Sequence, residues 1–305
     1  MNLLVFDFGG TTVKYTVWHS GGLAEPVESF PTPRTWNDTK AMVLGIKQRF
    51  SETYQLAGAA FSFPGCVDQQ SGQILGYSAI SYIHHFPIKE ELEALLGLPI
   101  AFENDANCAA LAEVWTGVAK DLTDVLFVVV GTGIGGAIVV DGKIRHGAHL
   151  YGGEFGFMFM NRIGNEFMSQ TLSGLGTAVT MAQRYCVEKG LPKDAHSGRE
   201  VFELAKQGDT MAQAEVETFY RYLSTGIFNL QMSFDPQAII IGGGLSANQE
   251  ILDRVASEVN ELLTACHIKD FKIDLRPCHY FNDANLVGAV KNYLDRVVDA
   301  HALID

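Results

Sequence analysis

A repeat constrains this chain's fold more than any other feature. Near the start, Leu4-Val5-Phe6-Asp7-Phe8-Gly9-Gly10-Thr11-Thr12 leads into a second apolar run and then Ser20-Gly21-Gly22. From Val125 the order returns: Leu126-Phe127-Val128-Val129-Val130-Gly131-Thr132-Gly133, another apolar run, then Asp141-Gly142. Each copy reads as a strand, a Gly/Thr turn, a strand and a tight turn. Two such hairpins imply two similar lobes facing a shared cleft. Two unrelated hairpins with common turn residues are the alternative, and the Gly-Thr turn present in both favours repetition.

The rest of the chain alternates between the two apolar periods. Strand-like runs are Leu3–Phe8, Val13–Trp18, Leu56–Phe63, Val125–Val130, Ala137–Val140, Ala238–Ile241 and Ile273–Leu275. Helix-like runs are Thr39–Ser51, Ile88–Leu96, Asp105–Gly117, Gly176–Glu188, Arg199–Gln207, Met211–Ser233, Ala247–Cys266 and Asn285–Ala300. The mixture predicts an α/β protein. No Pro- or Ser-rich linker separates the halves, so the boundary falls within Asp105–Gly117 or the polar stretch Lys120–Asp124, as suits a hinge between packed lobes. The last helix can return to the first lobe, which predicts one lobe of residues 1–117 plus 285–305 and a second of 118–284.

Composition narrows the function classes. The 305 residues carry a formal net charge of -13 with no compensating basic block, which disfavours nucleic acid and anionic membrane surfaces as partners. Met1-Asn2 runs straight into the first strand, with no signal-peptide pattern. No apolar stretch reaches the ~20 residues of a membrane helix. Cys66, Cys108, Cys186, Cys266 and Cys278 are scattered and never spaced C-x-C or C-x-x-C. Reduced thiols in a cytoplasmic protein account for them.

Three glycine turns are candidate phosphate cradles. Gly9 and Gly10 let the chain turn sharply and present N–H groups to an anion, and Thr11 and Thr12 add hydroxyls. Asp7, at the strand end, can meet a nucleotide-bound metal ion through water. Lys14 is either a cation near the phosphates or a solvated strand lysine. Gly131-Thr132-Gly133-Ile134-Gly135-Gly136 resembles the dinucleotide fingerprint, but that reading needs a helix next, and Ala137–Val140 is strand-like. The Walker pattern is absent. Gly242-Gly243-Gly244 lies between a strand and a helix, where exposed backbone can rest against a nucleotide or simply make a tight connection. Ser246 can cap the helix that follows.

Glu103-Asn104-Asp105-Ala106-Asn107 follows a short strand, Ile100–Phe102, and opens a helix. Asp105 at a helix start is held ionised by the dipole and free N–H groups. Such a carboxylate is a weak base, yet phosphoryl transfer, with its loose transition state, tolerates one. Asp105 is therefore a helix-capping residue or, taken with two phosphate turns, a base that aligns an acceptor hydroxyl.

Together these segments resemble the ROK sugar kinases, of the two-lobed actin/hexokinase/Hsp70-like ATPase fold (duplicated ribonuclease-H-like domains with an inter-lobe cleft). The resemblance covers essentially the whole chain and rests on DFGGTTVK (Asp7–Lys14), PGCVD (Pro64–Asp68), PIKEEL (Pro87–Leu92), ENDANCAALAE (Glu103–Glu113), GTGIGGAIVVDGKI (Gly131–Ile144), GGEFG (Gly152–Gly156), SGLG (Ser173–Gly176) and DPQAIIIGGGLS (Asp235–Ser246). It implies that Asp105 is the general base toward a sugar hydroxymethyl group and that Gly65, Asn104 and Glu154 bind the sugar. It implies ATP, with Mg²⁺, at the turns Gly9–Thr12, Gly131–Gly133 and Gly242–Gly244. The first lobe becomes the sugar and phosphate side, the second the nucleotide side, and the assembly a homodimer.

Two departures qualify the resemblance. Many members hold a structural zinc with the His of a Glu-x-Gly-His motif and a downstream cysteine cluster. Here the motif reads Glu154-Phe155-Gly156-Phe157, and no cysteine lies between Cys108 and Cys186, so no zinc is expected. Before Pro87, family members place an Asn near a Trp; this chain has Ser78-Ala79-Ile80-Ser81-Tyr82-Ile83-His84-His85-Phe86, with Ala79 at or near the Asn position. Tyr82 and His84 either flank a second sugar ring or serve packing and a solvated loop. A zinc-free site with an altered sugar loop resembles the β-glucoside kinase branch, which phosphorylates the 6-hydroxyl of disaccharides such as cellobiose. Glucokinase and N-acetylmannosamine kinase are alternatives within the class. A non-catalytic sugar-sensing ROK protein is the alternative outside it; the family's DNA-binding repressors carry a helix-turn-helix module ahead of the first strand, where this chain has six residues before Asp7.

Overall fold

Strand β1 (Asn2–Phe8) is buried on both faces from Leu3 onward, as a central strand must be. The computed structural model describes residues 1–162 and 167–298. β1 pairs antiparallel with β2 (Thr12–His19), which carries the short β3 (Gly22–Leu23) and β4 (Glu28–Pro31). Helix α1 (Trp36–Ser51) follows, then β5 (Leu56–Phe63), parallel to β1. A small hairpin of β6 (Cys66–Asp68) and β7 (Gln73–Leu75) leads to α2 (Ile88–Leu96). Strand β8 (Ile100–Asn104), parallel to β5, runs directly into α3 (Asp105–Trp115). The sheet order is β3-β2-β1-β5-β8.

The second sheet repeats that plan. β9 (Val125–Val130) and β10 (Ile134–Val140) form an antiparallel hairpin with β11 (Lys143–Ile144) outside it. Helices α4 (Leu172–Leu175), α5 (Ala178–Glu188), α6 (Gly198–Lys206) and α7 (Thr210–Phe234) precede β12 (Ala238–Gly242), which is parallel to β9. After α8 (Gln249–Ala265) comes β13 (Leu275–Pro277), parallel to β12. The order β11-β10-β9-β12-β13 matches β3-β2-β1-β5-β8, with β4 alone lacking a counterpart, so the repeat read from the sequence is a repeat of topology.

The chain forms two units. Unit 1 holds Met1–Lys120, His146–Tyr151 and the segment from Asn282; unit 2 holds Asp121–Arg145 and Gly152–Phe281. His146–Tyr151, which the sequence reading leaves in the second lobe, packs with the first. Helix α9 (Ala284–Tyr293) closes unit 1 and continues as a wider turn over Leu294–Val298, ending the helix expected over Asn285–Ala300 as far as the described residues reach.

Period-2 alternation sorts the core of unit 1. Leu4, Phe6 and Phe8 face Phe61, Phe63 and the apolar stripes of α1 and α2. Leu3 and Val5 face the other way, onto Cys108 of α3 and Leu286, Ala289, Val290 and Tyr293 of α9. On that side the sheet offers Ala60 and Ala101, small enough for two helices to lie close. The closest approach is at Gly288, where an added Cβ would stand 1.6 Å from the Cys108 carbonyl oxygen.

Other boundaries shift for identifiable reasons. Helix α1 starts at Trp36 rather than Thr39 because the Thr35 side chain caps it, accepting from the Asp38 N–H. Asn248, not Ser246, caps α8; Ser246 is buried and donates to the Gly243 carbonyl at 2.7 Å. Strand β13 covers Leu275–Pro277 instead of Ile273–Leu275, with its proline on a sheet edge. Ile134-Gly135-Gly136 pairs with Val130, Val129 and Val128 as strand, so the second glycine string is a turn only at Gly131–Gly133. Gly136 is required by packing: a Cβ would stand 2.3 Å from the Phe127 carbonyl oxygen.

Gly288→Ala is expected to force α3 and α9 apart and to destabilise the protein by about 3 kcal/mol, despite alanine's better helix propensity. Urea unfolding measures this; an unchanged midpoint would show that the two helices separate freely.

Candidate active site

The register of the first sheet lines up three polar side chains. Asp7 on β1 pairs with Ser62 on β5, which pairs with Glu103 on β8. Neighbouring strands lie about 4.8 Å apart, so the three form a row across the sheet on the α3/α9 face. β1, β5 and β8 are parallel, so their carboxyl ends share one edge, where open α/β sheets gather ligands. That edge carries Asp7 with the Gly9–Thr12 turn, Gly65 after β5, and Asn104-Asp105 after β8.

Asp7 is buried at 8% exposure. Its Oδ1 accepts from Ser62 Oγ at 2.9 Å and from Asn285 Nδ2 at 3.0 Å. Burial still pushes its carboxyl above the ordinary value, against those bonds and the positive charge of Lys14. Lys14 is the direct cross-strand neighbour of Asp7. Past Asp7 the turn is closed by the Gly9 N–H donating to the Thr12 carbonyl at 2.9 Å, and Thr32 Oγ1 donates to the Gly9 carbonyl at 2.6 Å. Gly10, Thr11 and Thr12 are exposed, with the two threonine hydroxyls 3.3 Å apart.

The cap of α3 is Asn104, not Asp105. Asn104 Oδ1 accepts from the N–H groups of Ala106 and Asn107, and its Nδ2 donates to the Gly65 carbonyl at 3.1 Å. Two residues assigned to sugar binding are thus tied together, Gly65 being at φ +107°, a conformation open to glycine. Capping by Asn104 leaves Asp105 as the first helical residue, half-buried, with Oδ1 accepting from the Ala106 N–H at 2.8 Å. The fully buried Cys108 thiol is pushed well up by burial and by the negative charges of Glu103, Asp7 and Asp105, so three carboxylates surround the start of this helix.

In the loop before α2, the packing alternative holds for Tyr82. Tyr82 donates to the Pro33 carbonyl at 2.6 Å and lies 3.0 Å from Thr39 Oγ1, packed on the core instead of offering a ring face. Phe86 packs edge-on against Trp36. His84 bonds Ser78 Oγ at 2.8 Å and stacks on Tyr77, which is 85% exposed. Tyr151, also exposed, sits beside Gly76: a Cβ there would be 3.7 Å from its hydroxyl. Ala79 stands against the Gly9–Thr12 turn, 2.8 Å from where a Gly10 Cβ would be. Neither Tyr77 nor Tyr151 stands out in the sequence, because a lone aromatic in a loop has no periodic signal.

In unit 2 the parallel pair β9–β12 brings two glycine turns to one edge. The Gly131 N–H donates to the Gly133 carbonyl at 2.9 Å, with Thr132 between them. Gly242 fits against the Phe127 ring, and Gly243 at φ +81° passes so close to Val130 that a Cβ would meet its carbonyl oxygen at 2.4 Å. A Cβ added at Gly131 or Gly244 would meet nothing within 4 Å, and both glycines border a cavity of about 650 Å³. Ala178 and Val179 of α5, Phe202 of α6 and Asn248–Ile251 at the start of α8 line the rest. With Tyr220 of α7, these wall residues come from four helices. Glu154 heads a short turn at the surface of this unit, and partial desolvation pushes its carboxyl up. Phe157, in place of the family's histidine, is 56% exposed. No cluster of three or more metal-ligating side chains occurs among the described residues.

Asp7→Asn is expected to stabilise the protein by about 1 kcal/mol at pH 7, because a carboxyl with a raised folded value resists ionising in the fold. The gain shrinks as pH falls and vanishes below 3.8, where the carboxyl becomes protonated folded and unfolded alike. Thermal unfolding against pH checks it; a lower Tm at pH 7 would show that the charge holds the fold.

Comparison with known proteins gives the family. The sequence pattern of the ROK family matches residues 4–295. A β-glucoside kinase of Listeria monocytogenes is 34% identical over 295 residues, 96% of this chain and 98% of its own. One from Klebsiella pneumoniae is 33% identical over 294 residues, 96% of each chain. A ROK family protein of Streptococcus pneumoniae, solved in complex with sucrose, superposes with a TM-score of 0.87 at 34% identity, over 98% of this chain and 100% of that one. The fold is that of the actin/hexokinase ATPases, and the chain belongs to the ROK family.

Proposed function

We propose that this protein is an ATP-dependent sugar kinase that phosphorylates the 6-hydroxyl of β-glucosides such as cellobiose. The observation that carries the reading is the β8–α3 junction: Asn104 takes the capping role and holds Gly65, leaving Asp105 at the helix start. A carboxylate there accepts the hydroxyl proton late in a loose transfer, where positioning matters more than basicity. Asn104, Gly65 and Glu154 hold the sugar. Gly131, Thr132, Gly133, Gly242, Gly243 and Gly244 cradle ATP, whose base and ribose fit the 650 Å³ cavity. Gly9, Gly10, Thr11 and Thr12 face the terminal phosphates, with Lys14 nearby. Mg²⁺ carried by ATP would neutralise phosphate charge, and Asp7 fits it as a water-mediated partner, its carboxylate being held in place by Ser62 and Asn285.

The β-glucoside half of the proposal draws on the relatives at 33–34% identity and on the loop before α2. Ala79 offers no side-chain contact to a sugar hydroxyl, while Tyr77 and Tyr151 expose ring faces suited to the C–H surface of a second ring. The site is read as zinc-free, with Phe157 supplying no imidazole. All five cysteines are free thiols, in keeping with a cytoplasmic enzyme, and the assembly is taken as a homodimer.

A coupled ADP-release assay with glucose, N-acetylmannosamine, fructose, cellobiose and gentiobiose tests the substrate class. Clear preference for glucose or N-acetylmannosamine over every β-glucoside rejects the disaccharide assignment and leaves the kinase standing. Asp105→Asn should lower kcat by roughly 10³-fold with sugar KM nearly unchanged; near wild-type turnover removes Asp105 from the base role. Tyr77→Ala should raise KM for cellobiose by about fivefold while sparing glucose, an aromatic contact being worth about 1 kcal/mol. Equal effects on both sugars would place Tyr77 outside a second-ring contact.

A further inference from the structure

Glu103 is not among the residues assigned to substrate, yet its carboxylate is engaged on both oxygens. It is 1% exposed. Its Oε1 accepts from the Asn104 N–H at 2.8 Å and from Asn107 Nδ2 at 3.0 Å. Its Oε2 accepts from His146 Nε2 at 2.8 Å and from Gln69 Nε2 at 3.3 Å, with an Arg296 guanidinium nitrogen at 3.8 Å. These partners outweigh burial and hold the carboxyl below its ordinary value.

His146 reaches this carboxylate from an unexpected place in the chain. It opens the six-residue segment His146–Tyr151, which leaves unit 2 after Arg145, packs with unit 1, and returns at Gly152. The segment is fastened at its start by His146 on Glu103, and at its end Tyr151 lies beside Gly76. One planar carboxylate thus joins it, through Oε2, to the Asn104 amide and the first turn of α3, through Oε1.

We infer that His146 is a positioning residue for the sugar: it sets the rotation of the Glu103 carboxylate, and so the orientation of Asn104 and the Asn104–Gly65 link. The inference rests on the kinase reading above. Without His146, Oε2 keeps the longer contact to Gln69 and the arginine at 3.8 Å. A buried carboxylate left short of donors turns toward new ones, and its Oε1 bonds move with it. The positioned groups are assigned to sugar and not to nucleotide, so the effect belongs in sugar KM.

Wild type, His146→Ala, His146→Gln, Glu103→Gln and the double variant Glu103→Gln/His146→Ala are compared for kcat, sugar KM and ATP KM. His146→Ala should raise sugar KM on the order of tenfold, with ATP KM and kcat within a few-fold. His146→Gln, whose amide nitrogen reaches where Nε2 stood, should restore most of the affinity. Replacing the carboxylate should remove the dependence, leaving the double variant no weaker for sugar than Glu103→Gln alone. Should His146→Ala give no soluble enzyme, His146→Asn, with a donor too short to reach, carries the same expectation. Unchanged sugar KM in His146→Ala, or sugar and ATP KM rising together, overturns the inference. Wild-type protein that turns over none of the sugars overturns the kinase reading instead, so the two failures are distinct.

Discussion

The crossing of α3 and α9 is the contact on which unit 1 depends. Gly288 lets α9 lie against the Cys108 carbonyl of α3, and Ala60 and Ala101 leave room for both helices beneath the sheet. Because they lie that close, Asn285 reaches Asp7, Arg296 approaches Glu103, and Tyr293 fills the space over Gly58 and donates to the Ala57 carbonyl at 3.2 Å. The polar row Asp7–Ser62–Glu103 would otherwise sit under an open face, exposed to water. Close packing of two helices thus sets the electrostatics of the strand ends.

Those electrostatics are costly for the fold. Three carboxylates lie around a buried thiol, and they are settled differently. Glu103 has enough donors to stay ionised in the interior; Asp7, with two donors on one oxygen, does not escape its desolvation cost. A structure selected for stability alone would place neutral residues here. Retained charge that burdens the fold marks a site shaped by chemistry.

Much of this was legible in the sequence, for physical reasons that can be named. The hairpins at Asp7 and Gly131 combine a buried strand with glycine turns, so the duplication was legible in the pattern, while the strand order of each sheet was not. β5, α2 and β9 were read to their exact ends because apolar periodicity and turn residues coincide there. The β6–β7 hairpin escaped notice because three-residue strands of mixed polarity carry no period. Asp105 was legible as a helix-start residue, but capping by Asn104 was not, since either side chain can accept those N–H groups. The row Asp7–Ser62–Glu103 needs strand register, and the link from His146 to Glu103 spans forty-three residues. No local pattern encodes either.

The position of α9 also bears on how the chain is made. Everything in unit 2 has been synthesised by Phe281, before the first residue of α9 emerges. The N-terminal sheet, translated first, has Leu3, Val5, Ala60 and Ala101 only partly covered, by α3, until α9 arrives. Domains usually mature in the order of translation. Here the later unit can be finished while the earlier one still waits for its floor, and the nascent protein must shelter that apolar face in the meantime.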